Sequence, residues 1–303
     1  MMKHAFVFFV AIAITSPCLT TASALDAPYR QQQNVVYAEA HGIGLVMDIF
    51  EPTGDKNGVG IIDVVSGAWH SDRSKIRDHT LTQTFHILCG KGYTVFAIRP
   101  GSITKFSAPE MRVHLNQGIR WVKEHAKEYA IDPDRLGMMG ASAGGHLACL
   151  TAVTAEDGTN VDGKSITSTR VKAVAVFFPP TDFLDWPVPK ADAAAEERWR
   201  KIKRRLAMPD APENLSDEEL TNAMAKISPA RLVTPNAPPF LLIHGDADPV
   251  VPLQQSETML AALKKEGVLA ELIVKKGGGH PWLTIHEEVQ KIAEWFDKQL
   301  LGK

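Results

Sequence analysis

A serine enclosed by small residues, at the junction of two apolar segments, constrains this chain most. Leu136 to Met139 form a short apolar run, and an apolar helical pattern continues from Leu147. Between them lies Gly140-Ala141-Ser142-Ala143-Gly144, which fits the pattern G-x-S-x-G. In the order strand, sharp turn, helix, this pattern is typical of a nucleophile elbow, where close packing excludes larger side chains. We predict that Ser142 is a nucleophile; a glycine-rich turn with Ser142 as helix N-cap is the alternative.

The overall composition fits one large globular domain. The chain has 303 residues, a formal net charge of −2 at pH 7 and 45% hydrophobic residues. This length supports a sizeable core. The nearly balanced charge argues against nucleic acid as a partner.

The first 24 residues have the pattern of a secretory signal peptide. A weakly basic start precedes an apolar run from Ala5 to Ile14, and Ala22-Ser23-Ala24 fits a small-x-small cleavage site. The run is too short to span a bilayer, so we expect no stable membrane insertion. We predict a secreted or periplasmic mature domain over residues 25–303, with a buried or anchoring N-terminal helix as the alternative.

Two cysteines remain in the predicted mature chain, Cys89 and Cys149, each within an apolar helical pattern. Export permits a disulfide, but these positions favour two buried free thiols. The spacing of cysteine and histidine does not resemble a metal site, and we expect no metal and no cofactor.

Apolar strands alternate with helical patterns along the mature chain. Predicted strands cover residues 35–38, 45–50, 59–65, 93–98, 135–139, 171–178, 239–244 and 269–274. Predicted helices cover residues 71–92, 109–129, 143–155, 253–266 and 284–301. This alternation indicates an α/β fold with a mostly parallel central sheet and helices on both faces. Residues 181–228 interrupt it with short helical pieces at 193–206 and 217–226, and are predicted to form a small inserted cap.

A nucleophilic serine needs a base to take its proton and a third group to orient that base. In a sheet of this kind they follow the serine in the order acid, then histidine, each beyond the C-terminal end of a strand. The strand at 239–244 leads to Asp246 and Asp248, and the next strand leads to Gly277-Gly278-Gly279-His280. We assign Asp248 as the acid and His280 as the base. The alternatives are turn chemistry, which we accept for Asp246, and a solvated loop histidine for His280.

A developing oxyanion needs hydrogen-bond donors from the backbone. We expect one from Ala143, directly after the serine, and others from Gly67 and Ala68 in the small-residue loop after the third strand. An ordinary tight turn is the alternative for that loop. His146 and His244 are expected to have structural roles.

Together these motifs resemble the α/β-hydrolase superfamily and, more narrowly, the acetyl-esterase and feruloyl-esterase-like carboxylesterases related to the hormone-sensitive-lipase group. The resemblance rests on residues 132–148, 238–252 and 277–280, and extends from about residue 34 to the C-terminus, weakest in 181–228. It implies the α/β-hydrolase fold, with Ser142, Asp248 and His280 as nucleophile, acid and base. The chain departs from the family pattern His-Gly-Gly-Gly/Ala-Trp, because Val65 and Ser66 replace its first two residues.

The resemblance also implies a serine esterase acting through an acyl-enzyme on short acyl or aryl esters, including acetylated sugars or plant-wall phenolic esters. The expected partner is a small-molecule or saccharide ester, with no prediction of oligomeric state. Trp186 and Trp199 of the cap are candidates for stacking on a sugar or phenol, and packing within the cap is the alternative. Two other functions stay open. One is a prolyl-oligopeptidase-like serine peptidase, and the other is a non-catalytic α/β-hydrolase-fold binding protein.

Overall fold

The apolar runs of the sequence form the inner strands of one mixed sheet. The structure, a computed structural model, describes residues 27–161, 164–187, 193–208 and 216–303, so the predicted signal peptide at 1–24 lies outside it. The strands are β1 (Tyr29–Ala40), β2 (Ile43–Pro52), β3 (Gly60–Val64), β4 (Thr94–Ile98), β5 (Gly137–Ala141), β6 (Thr159–Val161), β7 (Lys164–Ile166), β8 (Ala173–Phe177), β9 (Phe240–Gly245) and β10 (Ala270–Lys275).

Eight of these strands form the central sheet in the order β1-β2-β4-β3-β5-β8-β9-β10, while β6 and β7 pair separately. The pairs β1–β2 and β2–β4 are antiparallel, and all pairs from β4 to β10 are parallel. The register of β1 against β2 shifts between Gln32 and Val35, and again between Val36 and Ala38. Every residue of β3, β4, β8 and β9 is buried, as expected of parallel strands covered on both faces. The predicted fold class is confirmed.

Helices cover both faces of this sheet. They are α1 (Arg73–Leu81), α2 (Thr84–Gly90), α3 (Ala108–Glu124), α4 (Ala126–Tyr129), α5 (Ala143–Val153), α6 (Ala193–Ala207), α7 (Asp217–Lys226), α8 (Gln254–Lys265) and α9 (Ile285–Phe296). One core cluster joins α3, α5 and α8 to the sheet, and a second joins α1, α2 and α9 to its other face. Strand β3 shows the alternation directly, because Ile62 belongs to the first cluster and Ile61 to the second.

Two predicted helices are divided in the structure. The single helix predicted over 71–92 is wrong, because Gln83 has a left-handed φ of 60° and separates α1 from α2. The helix predicted over 109–129 ends at His125, whose N–H and ring Nδ1 both contact the Trp121 carbonyl oxygen before α4 begins. The last helix becomes π-helical at Asp297–Leu301, and the short β6–β7 hairpin was not predicted.

The segment 181–228 contains α6 and α7 at nearly the predicted positions. Its contact with the rest of the chain includes a hydrogen bond of 2.8 Å from Arg205 Nε to the Ile103 carbonyl oxygen. No helix in the described part of the chain is both long and apolar enough to cross a membrane.

The two cysteines outside the N-terminal segment are buried and free, which confirms the prediction of free thiols. Cys89 lies in α2 and Cys149 in α5. Burial raises the pKa of the Cys89 thiol to about 12 and also raises that of Cys149. Both therefore remain protonated near neutral pH.

Candidate active site

Ser142 lies in the turn between β5 and α5 with a strained backbone. Its φ of 53° and ψ of −121° fall in a region that residues with side chains rarely adopt. The Ser142 N–H donates to the Phe177 carbonyl oxygen, and the Gly144 N–H donates to that of Ser66, both at 3.0 Å. A Cβ atom on Gly144 would collide with the Val64 carbonyl oxygen. Contacts between backbones therefore require the small residue at this position, as the elbow interpretation expects.

The three side chains assigned from the sequence lie within hydrogen-bond distance of one another. His280 Nε2 is 2.9 Å from Ser142 Oγ, and His280 Nδ1 is 2.7 Å from Asp248 Oδ2. With its proton on Nδ1, a neutral imidazole donates to Asp248 and accepts from the Ser142 hydroxyl at Nε2. This is the arrangement that a serine nucleophile, a general base and an orienting acid require.

The Asp248 carboxylate is buried and surrounded by donors. Its Oδ1 accepts hydrogen bonds from the N–H groups of Val250 and Val251 at 2.8 and 2.9 Å. Burial is the largest single influence and would raise the pKa of Asp248. The contacts with His244 and His280, together with the two backbone donors, outweigh burial and hold that pKa well below its usual range. The carboxylate therefore stays charged and can stabilise an imidazolium at His280.

Close approach of two glycines positions the loop that carries His280. A Cβ on Gly245 would collide with the carbonyl group of Gly278. The Gly277 N–H donates to Asp246 Oδ1 at 2.6 Å, and the Ala247 N–H donates to the Gly278 carbonyl oxygen at 3.0 Å. Asp246 thus binds backbone, as accepted from the sequence, but it does so across two loops rather than within its own turn.

The loop after β3 makes a tight turn from Gly67 to His70. The Gly67 N–H donates to the His70 carbonyl oxygen and the His70 N–H donates back to that of Gly67, both at 2.9 Å. Ala68 and Trp69, between them, have left-handed φ angles of 46° and 58°. The Gly67 N–H is therefore used within the turn, which corrects its assignment as an oxyanion donor. The N–H groups of Ala68 and Ala143 donate to no described residue, and both residues line the cavity that contains Ser142.

His146 connects that turn to the end of the cap. Its Nδ1 accepts a hydrogen bond from Trp69 Nε1 at 3.0 Å, and its Nε2–H donates to the Ile227 carbonyl oxygen at 2.8 Å. Burial lowers the pKa of His146 to about 4, so the ring is neutral near pH 7, as these two bonds require. His244 is likewise buried, with Nδ1 2.7 Å from Ser256 Oγ. Both histidines have the structural roles expected, but the Trp69 contact was not predicted.

A cavity of about 930 Å³ contains Ser142 and His280 on its surface. We call its cap side the cap wall, formed by Trp186, Trp199 and Ile202. We call the part of its surface that α1 provides the α1 wall, formed by Ser74, Lys75, Asp78, His79 and Leu81. The cavity therefore offers aromatic surface from the cap segment and hydrogen-bonding groups from α1.

Comparison with known proteins identifies the family. The BD-FAE family model matches residues 47–263. The probable carboxylic ester hydrolase LipM of Mycobacterium tuberculosis is 27% identical over 240 residues, which are 78% of this chain and 52% of LipM. The chain spans about half the length of the curated relatives it matches first.

Two solved structures share the fold. A truncated carbohydrate esterase from gut microbiota has a TM-score of 0.74 at 25% identity, covering 91% of this chain and 98% of that one. The acetyl ester-xyloside bifunctional hydrolase of Caldicellulosiruptor lactoaceticus has a TM-score of 0.67 at 20% identity, covering 88% of this chain and 95% of that one. With the sheet order and the serine turn described above, these matches show that the chain has the α/β-hydrolase fold and belongs to the BD-FAE family.

Proposed function

We propose that this protein is a serine carboxylic-ester hydrolase. The observation that carries the proposal is the continuous hydrogen-bonded line from Ser142 through His280 to Asp248. Similarity to LipM and to a carbohydrate esterase supports the same reaction class. The buried, charged Asp248 supplies the orienting acid, and the N–H groups of Ala68 and Ala143, which donate to no described residue and line the cavity of Ser142, are the oxyanion donors in this proposal.

The first half of the proposed reaction forms an acyl-enzyme. His280 Nε2 takes the proton of the Ser142 hydroxyl as Oγ attacks the ester carbonyl carbon. The N–H groups of Ala68 and Ala143 stabilise the negative charge that develops on the carbonyl oxygen. Asp248 stabilises the imidazolium. The tetrahedral intermediate then breaks its bond to the alcohol oxygen, which receives the proton from His280.

The second half releases the acid. His280, again neutral, takes a proton from a water molecule, whose oxygen attacks the acyl carbon. The intermediate collapses, Ser142 Oγ leaves and takes the proton back from His280, and the carboxylic acid departs.

The walls of the cavity support short acyl or aryl esters, including acetylated sugars and phenolic esters, as the substrate class. Trp186 and Trp199 pack on each other, with ring centroids 4.7 Å apart, and both line the cavity, so in this proposal the pair presents aromatic surface to a sugar or phenol ring. Because the segment 1–24 has the pattern of a signal peptide, we further propose that the enzyme acts outside the cytoplasm.

Hydrolysis of p-nitrophenyl esters from acetyl to decanoyl tests the proposal, with wild type and Ser142→Ala side by side. We expect turnover of short esters by the wild type and a loss of roughly 10³- to 10⁶-fold in Ser142→Ala, as removal of a catalytic serine causes. A fluorophosphonate should label the wild type and leave the variant unlabelled. If the wild type hydrolyses no ester and is not labelled, the protein is a binding protein. Preferential cleavage of aminoacyl arylamides would make it a peptidase.

A further inference from the structure

A second histidine–carboxylate pair borders the cavity and has no role in the reaction just described. His79 of α1 lies with Nδ1 2.6 Å from Oδ2 of Asp63, a residue of β3. Asp63 is fully buried, and its Oδ1 accepts no hydrogen bond from the described residues. His79 forms part of the α1 wall. A carboxylate in an otherwise apolar strand thus holds a histidine at the edge of the substrate cavity.

The surroundings favour the protonated form of His79. A buried carboxylate with one free oxygen is costly unless a positive charge lies beside it. Burial lowers the pKa of His79, but the charge of Asp63 and the hydrogen bond to it prevail, and that pKa is raised above its ordinary value. A protonated imidazole has hydrogen on both nitrogens. One is directed at Asp63, and the other, on Nε2, remains to donate.

The Nε2 atom of His79 is without a partner among the described residues, and His79 lines the cavity. This atom is not one of the buried side-chain atoms that lack a partner. About an eighth of the side chain is accessible, 13%, which is enough to expose one ring atom. The ring lies near Phe85 at 6.4 Å between centroids. Asp63 and Phe85 therefore fix the orientation of the His79 ring, and its Nε2–H group remains available to donate.

Neighbouring charges on the α1 wall are already compensated. Lys75 Nζ is 3.0 Å from Asp78 Oδ2. Asp72, which precedes this wall and also lines the cavity, caps α1 by accepting from the Ser74 N–H at 2.8 Å and adds no positive charge. With His79 balanced by Asp63, this wall has no surplus positive charge that would attract an anion. The ligand that suits it is a neutral oxygen, such as a hydroxyl or a ring ether.

The α1 wall and the His280 loop border the same cavity. Ile285, which follows the His280 loop, belongs to the same core cluster as Ile76 of α1 and also lines the cavity. A substrate whose alcohol oxygen lies at His280 can therefore extend along the α1 wall of the same cavity.

We propose that His79, held by Asp63, is a substrate-binding residue whose Nε2–H donates to a hydroxyl or ring oxygen on the alcohol part of the ester. This deepens the proposed function and rests on it. The substrates it selects are partially acylated polyols and sugars rather than esters of plain alcohols. The cap wall contacts the substrate through shape and aromatic surface, whereas His79 recognises an oxygen atom by donating a hydrogen bond to it.

The test is the ratio of kcat/KM for a mono-acetylated methyl xyloside to that for cyclohexyl acetate, which has the same acyl group and a ring of similar size. The double variant Asp63→Leu/His79→Phe removes both members of the pair together, so no buried charge is stranded. We expect its ratio to fall about 10- to 100-fold, as loss of a hydrogen bond from a charged donor predicts. Its kcat/KM for cyclohexyl acetate and p-nitrophenyl acetate should fall less than its kcat/KM for the xyloside, because those alcohols offer no further oxygen to the Nε2–H group. His86→Phe, at an exposed position of α2, is the control and should leave the ratio unchanged.

Several results would overturn the inference. A wild type with no preference for the xyloside does so, as does a double variant that loses equal activity on both acetates or keeps its ratio. If circular dichroism shows that the double variant is unfolded, His79→Asn decides by the same ratio, because its shorter amide can donate to Asp63 from near the position of Nδ1 and leaves no donor at the position of Nε2. A wild type inactive on every acetate, with Ser142 unlabelled by fluorophosphonate, overturns the proposed function itself.

Discussion

Trp69 holds the turn that carries Ala68 through a hydrogen bond to the helix behind Ser142. Its indole Nε1 meets His146 Nδ1 at 3.0 Å, and both side chains are buried. The left-handed φ angles of Ala68 and Trp69 are unfavourable for residues with a Cβ, so the turn needs external support. The hydrogen bond to His146, itself tied to Ile227, supplies that support from the helix behind Ser142.

Trp69→Phe should therefore lower the free energy of unfolding more than the same change at a tryptophan whose indole N–H bonds no described residue. Trp295 is the matched control, since it is also buried and its Nε1 bonds no described residue. Urea unfolding should show that Trp69→Phe lowers the free energy of unfolding by about 1–3 kcal/mol more than Trp295→Phe, because His146 Nδ1 is left buried and unpaired. The kcat for p-nitrophenyl acetate should fall only in Trp69→Phe. Equal losses in stability would show that the hydrogen bond contributes nothing.

At the scale of elements, the β5–α5 junction is set by backbone contacts with two neighbours. Ser142 bonds to the end of β8 and Gly144 to the loop after β3, so strand, turn and helix are fixed as one unit. The residues of α5 are buried along its whole length. A small shift of the turn would therefore move Ser142 away from His280, because the helix cannot adjust into solvent.

Gly144→Ala tests this rigidity, with Gly90→Ala in α2 as its control. The new Cβ at residue 144 would collide with the Val64 carbonyl oxygen, whereas a Cβ at residue 90 would meet nothing within 4 Å. We expect Gly144→Ala to lower kcat/KM at least about 100-fold and the free energy of unfolding by about 2 kcal/mol or more. Gly90→Ala should be neutral or stabilising by up to roughly 1 kcal/mol. Near wild-type activity in Gly144→Ala would show that the turn can relax.

The sequence predicts elements whose signals are local and contiguous. Ser142, Asp248 and His280 follow strand ends in a fixed order, so spacing alone brings them to one edge of the sheet. The break at Gln83 could not be predicted, because nothing in its identity demands a left-handed φ. The Asp63–His79 pair joins a strand to a helix through no motif, and the Gly67–His70 hydrogen bonds depend on how the loop closes. Such contacts depend on how separate segments pack against one another, and no local sequence pattern indicates them.

For the whole molecule, two histidines push the pH dependence of stability in opposite directions. The pKa of His79 is raised in the folded protein. Its stabilising contribution to the free energy of unfolding is therefore fully present below the ordinary pKa of histidine and is lost as pH rises through the pKa of the folded state. The pKa of His146 is lowered to about 4, so the unfolded chain binds a proton at higher pH than the folded chain does. His146 therefore lowers the free energy of unfolding as pH falls from about 6.5 to about 4.

His146→Gln should flatten that decrease. A glutamine can accept from Trp69 and donate to Ile227 as the neutral imidazole does, but it does not titrate. Between pH 7 and pH 4, denaturant unfolding should show that wild type loses about 3 kcal/mol more than the variant, an order-of-magnitude figure from the shift. His86→Gln, exposed on α2, should follow the wild type. If the free energy of unfolding falls equally with pH in His146→Gln and in wild type, the folded structure does not hinder protonation of His146.

The irregular outer strand limits how the sheet can grow. β1 stands at one end of the strand order, and its register slips twice along its length. Bulges of this kind twist an edge and break the even spacing of N–H and C=O groups that an incoming strand would need. An extended segment of another chain therefore meets no regular row of backbone groups with which it could pair along β1. We therefore expect that strand addition at this edge, the first step toward a cross-β polymer, is disfavoured.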